Sequence, residues 1–298
     1  MTIGLIGLGK MGSAITERLV NAGHDVVAFD INQQARENAR DLGASTVDSI
    51  EGVAEQTNII WLMVPPGTIV DATIDELIPN LAEESIIIDG GNSKFSDSVR
   101  RAQKLQKHSI EFFDCGTSGG LRGRMIGFCL MVGGPSKLFK KIEPALQAIA
   151  APNGYALVGP SGAGHYVKMV HNGIEYALLQ AYAEGFHLLK DGSYKKLDLE
   201  EISALWMHGS IIRSFILDLC HSILKRDQSL NTISGKVGAT GMGKWTVEQA
   251  EQEGIPVTLI KDALDIRAWS QETGGNFATK IVAQLRKEFG GHSVEKNN

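Results

Sequence analysis

The sequence predicts an α/β protein, with a doubly wound parallel sheet in its first half followed by an all-α C-terminal domain. Three observations predict it. Short, continuous, β-branched runs at residues 3–6, 26–30, 59–64, 86–89 and 110–114 alternate with helical patterns, as parallel strands covered on both faces do. From about residue 164 the pattern turns helical and carries no convincing strand. Between the first run and the first helical pattern lies Gly7-Leu8-Gly9-Lys10-Met11-Gly12, the turn of a Rossmann-type dinucleotide-binding unit. The expected domains are 1–160 for the dinucleotide and 161–298 for substrate binding and dimerisation.

Each element follows from local pattern. Helices are expected at 14–22, 33–42 and 97–108, between the early strands, and two later strands at 125–132 and 155–158. The second half divides into helices at 165–190, 198–225, 244–253, 256–272 and 275–289, leaving only 293–298 loose. The three glycines have separate duties: a tight turn, approach of a pyrophosphate to the backbone, and packing of helix on strand. Asp30 ends the second strand about eighteen residues beyond Gly12. Its carboxylate suits an adenosine ribose and repels a 2′-phosphate, and Ile31, Asn32 and Gln33 supply no cation, so NAD is expected over NADP. An Asp capping the next helix is the alternative reading. Val64-Pro65-Pro66-Gly67 and Asp89-Gly90-Gly91-Asn92-Ser93 lie at carboxyl ends of strands, where open α/β sheets bind ligands. Asn92, able to donate and accept, suits a carboxamide or a substrate hydroxyl. Ser118-Gly119-Gly120 offers backbone amides to a carboxylate.

Composition excludes several classes of protein. A net charge of −5 over 298 residues argues against broad nucleic-acid binding. No apolar run approaches the roughly 20 residues of a membrane span, and no cationic leader precedes the first strand, so a cytoplasmic protein is expected. Cys115, Cys129 and Cys220 lack metal-ligand spacing and read as buried thiols in a reducing compartment; no metal is expected.

One stretch carries acid–base chemistry. Lys168, His171, Asn172 and Glu175 fall at i, i+3, i+4 and i+7, stacked on one helix face, while Met169, Val170 and Ile174 fall elsewhere. A lysine and a glutamate bracketing a His-Asn pair offer a base and an acid to one small substrate. A solvated stripe with an ion pair too distant to matter is the competing reading. The glycine-rich lead-in at 159–165 weighs against it.

These segments, in this order, resemble the decarboxylating 6-phosphogluconate dehydrogenases over nearly the whole chain. The segment from Gly164 to Tyr176 carries the most specific motif, and Arg286-x-x-Phe289-Gly290-x-His292 resembles the family's C-terminal tail. The chain looks like the short, NAD-linked form. The resemblance implies oxidative decarboxylation of 6-phospho-D-gluconate to ribulose 5-phosphate in the pentose phosphate pathway. Lys168 would be the base and Glu175 the acid, with His171 and Asn172 orienting hydroxyls. Ser118, Gly119 and Gly120 would hold the carboxylate, and Tyr176, Arg267 and a partner subunit's Arg286 and His292 the phosphate. A homodimer or homotetramer, its tail entering the neighbouring site, follows. Thr240 and Met242 depart from a phosphate-contacting Lys and Thr of the long members, a loss that Arg122, Arg124 or Lys244 would offset. A β-hydroxyacid dehydrogenase of the 3-hydroxyisobutyrate type is the alternative, needing neither Glu175 nor the two arginines. A catalytically silent dinucleotide sensor is disfavoured by the retention of both Lys168 and Glu175.

Overall fold

Alternation along each strand sends side chains to both faces of one sheet, and helices cover both. Ile3, Leu5, Val26 and Ala28 enter one apolar cluster; Ile6, Val27, Ile60 and Leu62 enter the other. The computed structural model describes residues 1–239 and 241–297, so the expected role of Thr240 falls outside the described residues. The chain forms two units, Met1–Met169 and Val170–Asn298.

The first unit runs β1 (Thr2–Ile6), α1 (Lys10–Asn21), β2 (Asp25–Phe29), α2 (Gln33–Asp41), β3 (Ser45–Thr46), α3 (Ile50–Ala54), β4 (Ile59–Leu62), α4 (Thr68–Leu77), β5 (Ile86–Asp89) and α5 (Phe95–Gln106). It continues with β6 (Glu111–Ser118), α6 (Gly123–Ile126), β7 (Phe128–Gly133), α7 (Phe139–Ile149) and β8 (Ala150–Gly159). The sheet order is β3-β2-β1-β4-β5-β6-β7-β8. All pairs are parallel except β6 with β7. The order reverses between β1 and β4, which makes their carboxyl ends the switch point where such sheets bind ligands.

One helix, α8 (Ala163–Asp191), begins in the first unit and continues into the second. The second unit adds α9 (Leu199–Trp206), α10 (Phe215–Arg226), α11 (Gly241–Glu253), α12 (Thr258–Thr273) and α13 (Phe277–Gly290) around a core that includes Leu179, Phe186, Leu217, Ile223, Ile281 and Leu285. No described helix is long and apolar enough to cross a membrane.

Three expectations are corrected. The helix expected at 198–225 is two helices, because Gly209 takes a left-handed backbone (φ 77°) and Ser214 starts α10 by accepting the Leu217 amide at 3.0 Å. The strand expected from residue 125 starts at Phe128; Met125 and Ile126 are exposed residues of α6. Cys129 is exposed, not buried, since alternation turns it away from the face that Phe128 and Leu130 bury. Cys115 and Cys220 are buried, and burial pushes both thiols up, Cys220 to about 12.

Candidate active site

The turn after β1 is shaped by what its glycines exclude. Gly7 has φ 97°, and a Cβ there would lie 2.6 Å from the Met63 carbonyl oxygen. A Cβ on Gly12 would collide with the Gly7 carbonyl. At Gly9, the N-cap of α1, nothing lies within 4 Å of that position. The first and third glycines therefore close the turn, and the second leaves backbone open beside a helix N-terminus, the arrangement that receives a pyrophosphate. Lys10 and Met11 open α1.

Asp30 is aimed at the same turn. Its two oxygens accept the Leu8 amide at 2.6 Å and the Asn32 amide at 2.8 Å. Each oxygen retains a second lone pair for a ribose hydroxyl. It is Asn32, not Asp30, that caps α2, accepting the amides of Gln34 and Ala35. Arg36 donates to the Asp30 carbonyl at 2.7 Å.

The loops carrying Val64-Pro65 and Asn92 are joined by a residue that sequence reasoning missed. Arg101, on α5 and fully buried, donates to Gly67 O at 2.9 Å, Ser93 Oγ at 3.0 Å, Asp89 Oδ2 at 3.2 Å and Asp71 Oδ1 at 2.8 Å. Ser93 in turn donates to Asp89 at 2.7 Å. One guanidinium thus ties the end of β5 to the loop after β4. Burial works to raise the Asp71 carboxyl, but hydrogen bonds from Arg101 and Arg100 outweigh it and hold it below its usual range. Asn92 itself is exposed on its loop.

Ser118 ends β6, and Gly119 (φ 126°) and Gly120 (φ 54°) turn the chain immediately after it. Two residues upstream, Gly116 makes room for Lys168: a Cβ there would sit 2.8 Å from Gly164 O, 3.0 Å from Lys168 Cγ and closer still to Lys168 Cβ. Asp114 fixes the start of α8, accepting the amides of Gly162 at 2.5 Å and His165 at 2.7 Å. Burial pushes its carboxyl above the usual range, against the pull of His165 and those amides. The buried His165 Nδ1 shares a 2.7 Å hydrogen bond with Ser98 Oγ. Lys168 is 5% exposed. His171, Asn172 and Glu175 are half-buried on the same helix, and His171 Nδ1 lies 3.0 Å from Asn172 Oδ1.

The second unit gathers cations around Tyr176. Arg267, on α12 and 2% exposed, stacks its guanidinium carbon 3.3 Å from the Tyr176 ring centroid. Neither of its terminal amino groups has a hydrogen-bond partner. Arg286, on α13 and 8% exposed, is near enough for its charge to act on Arg267. Burial first, then Arg286, lowers the Arg267 guanidinium to about 10, while Tyr176 and Glu175 pull the other way. Burial lowers Arg286 too. Gly243 allows the Tyr176 ring its place, since a Cβ would lie 2.7 Å from Cδ2. Two buried guanidiniums, that of Arg267 with both terminal amino groups open, describe an anion site.

Residues 2–166 match the NAD binding domain of 6-phosphogluconate dehydrogenase, and residues 164–297 match the 6-phosphogluconate dehydrogenase C-terminal domain. The chain belongs to the 6-phosphogluconate dehydrogenase family. It is 44% identical, over the full length of both chains, to the NAD(+)-dependent, decarboxylating 6-phosphogluconate dehydrogenase of Haloferax volcanii. It is 38% identical to the decarboxylating 6-phosphogluconate dehydrogenase of Cunninghamella elegans, with 90% of this chain and 59% of that one covered. Among solved structures, the 6-phosphogluconate dehydrogenase of Plasmodium falciparum superposes with a TM-score of 0.83 at 29% identity, covering 92% of this chain and 62% of that one. The 3-hydroxyisobutyrate dehydrogenase of Mycobacterium tuberculosis superposes at 0.75 and 22% identity over 96% of this chain and 99% of that one, a likeness of fold.

Within this member of the 6-phosphogluconate dehydrogenase family, the residues expected around the phosphate have the following surroundings. Met242 is buried at the start of α11 and packs as core. Lys244 pairs with Glu248 at 3.6 Å and Arg124 pairs with Glu17, so both have surface carboxylate partners. Arg286, expected to act from a partner subunit, lies on α13, which packs into the core of the second unit. The tail is held there as well. Ser234 N donates to Glu295 O at 2.9 Å and Asn297 N to Thr232 O at 3.1 Å, around an antiparallel bridge between Ile233 and Lys296. The His292 ring lies 6.4 Å from that of Phe289.

Proposed function

We propose that this chain catalyses NAD-dependent oxidative decarboxylation of 6-phospho-D-gluconate to D-ribulose 5-phosphate, CO2 and NADH, the reaction of the pentose phosphate pathway, as a cytoplasmic homo-oligomer. The observation that carries this reading is the buried Arg267–Arg286 pair against Tyr176, the residue that follows Glu175 on the acid–base helix. A phosphoryl dianion satisfies those open donors. A small unphosphorylated β-hydroxyacid such as 3-hydroxyisobutyrate leaves the Arg267 donors empty, and burying a cation whose donors lack an occupant costs several kcal/mol.

The residues present fit the cofactor. Gly7, Leu8, Gly9, Lys10, Met11 and Gly12 form an open cradle at a helix N-terminus that would hold the pyrophosphate, Asp30 would hold the ribose hydroxyls, and Val64, Pro65 and Asn92 would hold the nicotinamide end. NAD would supply the hydride acceptor for C3 of the substrate. Lys168, entering as the neutral amine that removal from water favours, takes the proton of the 3-hydroxyl. The ammonium so formed then polarises the new C3 ketone, which receives the electron pair as the C1–C2 bond breaks and CO2 leaves. The Lys168 ammonium returns its proton to the C3 oxygen as the enediol forms; Glu175 then delivers a proton to the carbon that was C2 of the substrate while Lys168 takes the enol proton back, leaving the ketone. His171 and Asn172 orient the hydroxyls, and Ser118, Gly119 and Gly120 hold the C1 carboxylate.

The test is NADH absorbance with 6-phosphogluconate, run with NAD and with NADP, with gluconate as the unphosphorylated control. Reduction of NAD coupled to CO2 release, with gluconate inert, is expected. Turnover of β-hydroxyacids in its place would overturn the reading.

A further inference from the structure

We propose that Arg36 is a positioning residue for NAD: by holding the Asp30 carbonyl it fixes the direction in which the Asp30 carboxylate meets the adenosine ribose. This rests on the reading above that Asp30 holds the ribose hydroxyls.

The need for a brace follows from how β2 ends. Backbone carbonyls point alternately to the two sides of a strand, and each has to find a donor. The Ala28 carbonyl turns toward β3 and accepts the Val47 amide at 3.1 Å; the Phe29 carbonyl turns toward β1 and accepts the Gly7 amide at 2.9 Å. Alternation sends the Asp30 carbonyl to the β3 side again, but β3 is only Ser45–Thr46 and has already ended. Arg36 supplies the donor from α2, its Nη1 lying 2.7 Å from that oxygen. Its Nη2 lies 3.4 Å from Asp48, two residues beyond β3. One side chain thus takes the place of a strand that stops short.

The carbonyl and the carboxylate of Asp30 are coupled through the peptide that follows it. Asp30 Oδ1 accepts the Asn32 amide at 2.8 Å, closing an Asx turn, while Oδ2 accepts the Leu8 amide at 2.6 Å in the glycine turn. The Asx turn requires one orientation of the Asp30–Ile31 peptide, and Arg36 grips that peptide by its oxygen. Once released, the peptide is free to rotate, the Asn32 bond opens and the carboxylate leaves the Leu8 amide. Arg36 is itself held for this task, in the first turn of a helix whose start is fixed by Asn32 accepting the amides of Gln34 and Ala35. Its side chain is 16% exposed, and its Nε is buried with no hydrogen-bond partner. An arginine serving only a surface ion pair would extend into water, and Asp48, its side chain 88% exposed, contributes little as a partner. The bond to Asp30 is what the buried course of this side chain secures.

A double-mutant cycle read by NADH fluorescence titration, without substrate, tests the proposal. The variants are Arg36→Met, which keeps an unbranched stem and removes the donors, Asp30→Ala, and the two together. Arg36→Met should weaken NADH binding roughly three- to ten-fold, the worth of a hydrogen bond. Arg36→Lys, which keeps one donor for the carbonyl, should recover most of that loss. In the Asp30→Ala background the same Arg36→Met change should cost less than about twofold more, because no carboxylate is left to aim. An equal loss in both backgrounds would mean that Arg36 acts on the fold of the pocket and not through Asp30, which overturns the proposal; wild-type affinity in Arg36→Met overturns it too. Unchanged NADH affinity in Asp30→Ala would instead bring down the ribose reading and this proposal with it. Thermal melting shows that each titrated variant is folded, and Arg36→Gln stands in for Arg36→Met in the cycle should the latter fail to fold.

Discussion

Replacing Gly116 by alanine should disable Lys168 without altering any group that touches substrate. The added Cβ would meet Gly164 O at 2.8 Å, Lys168 Cγ at 3.0 Å and Lys168 Cβ nearer still. Carbon pairs rest at about 3.5–4.0 Å, so Lys168 has to retreat by on the order of 1 Å. Gly164 O is backbone in the first turn of α8 and cannot rotate away, so the helix start shifts as a body or β6 bends. Overpacking of this kind costs about 1–3 kcal/mol of stability. A misplacement of about 1 Å at a reacting group costs on the order of a hundred-fold in rate, equivalent to about 2.7 kcal/mol of barrier. The assay is kcat and KM by NADH formation, alongside a thermal melt. The expected result is a kcat about a hundred-fold down with KM for NAD unchanged. Gly185→Ala is the control on the same helix: nothing lies within 4 Å of its Cβ position, so it should gain roughly 0.5–1 kcal/mol of stability and keep its rate. A Gly116→Ala enzyme with kcat within about threefold of wild type would refute the claim that this contact places the base.

Asp30→Ala should raise KM for NAD by roughly ten-fold or more, the worth of charge-assisted hydrogen bonds to the ribose, while leaving KM for NADP no worse; parallel titrations of the two nucleotides check it. Arg101→Lys cannot reproduce four bonds with one ammonium, and leaving Asp89 short of its partner should cost about 3–5 kcal/mol, read as a lower melting midpoint together with a raised KM for NAD. Because Asp71 is held below the usual carboxylate range in the folded state, its contribution is fully present above the ordinary carboxylate pKa and fades as pH falls through the lowered one. Melting curves in acid should therefore show a stability loss that is shallower in Asp71→Asn.

Several features were legible because they are local. The glycine turn, the strand runs and the helical stripe at 168–175 depend on periods of two and 3.6 residues and on contacts within a dozen positions. Arg101 was illegible: it looks like one of two arginines on a solvated helix face, and its carboxylates lie twelve and thirty residues away. Gly116 and Asp114 were equally silent, since each matters through residues some fifty positions later. The break near Gly209 was missed because apolar spacing resumes in phase after it. Met242 was legible as a departure, since a thioether cannot replace a phosphate-binding hydroxyl, and its apolar side chain packs in the local core.

That Lys168 and Glu175 ride one uninterrupted helix makes α8 a ruler as much as a scaffold. Seven residues of helix separate them by about 10.5 Å along the axis and bring them back to one side of it. The register of the proposed base and acid is thus written in chain length, and no loop can absorb an error in it. A single residue inserted between them would swing Glu175 by about 100° and carry it about 1.5 Å further along, whereas a substitution anywhere on the opposite side leaves the spacing untouched. A change of length in this stretch therefore breaks the spacing in a way that an exchange of residues does not.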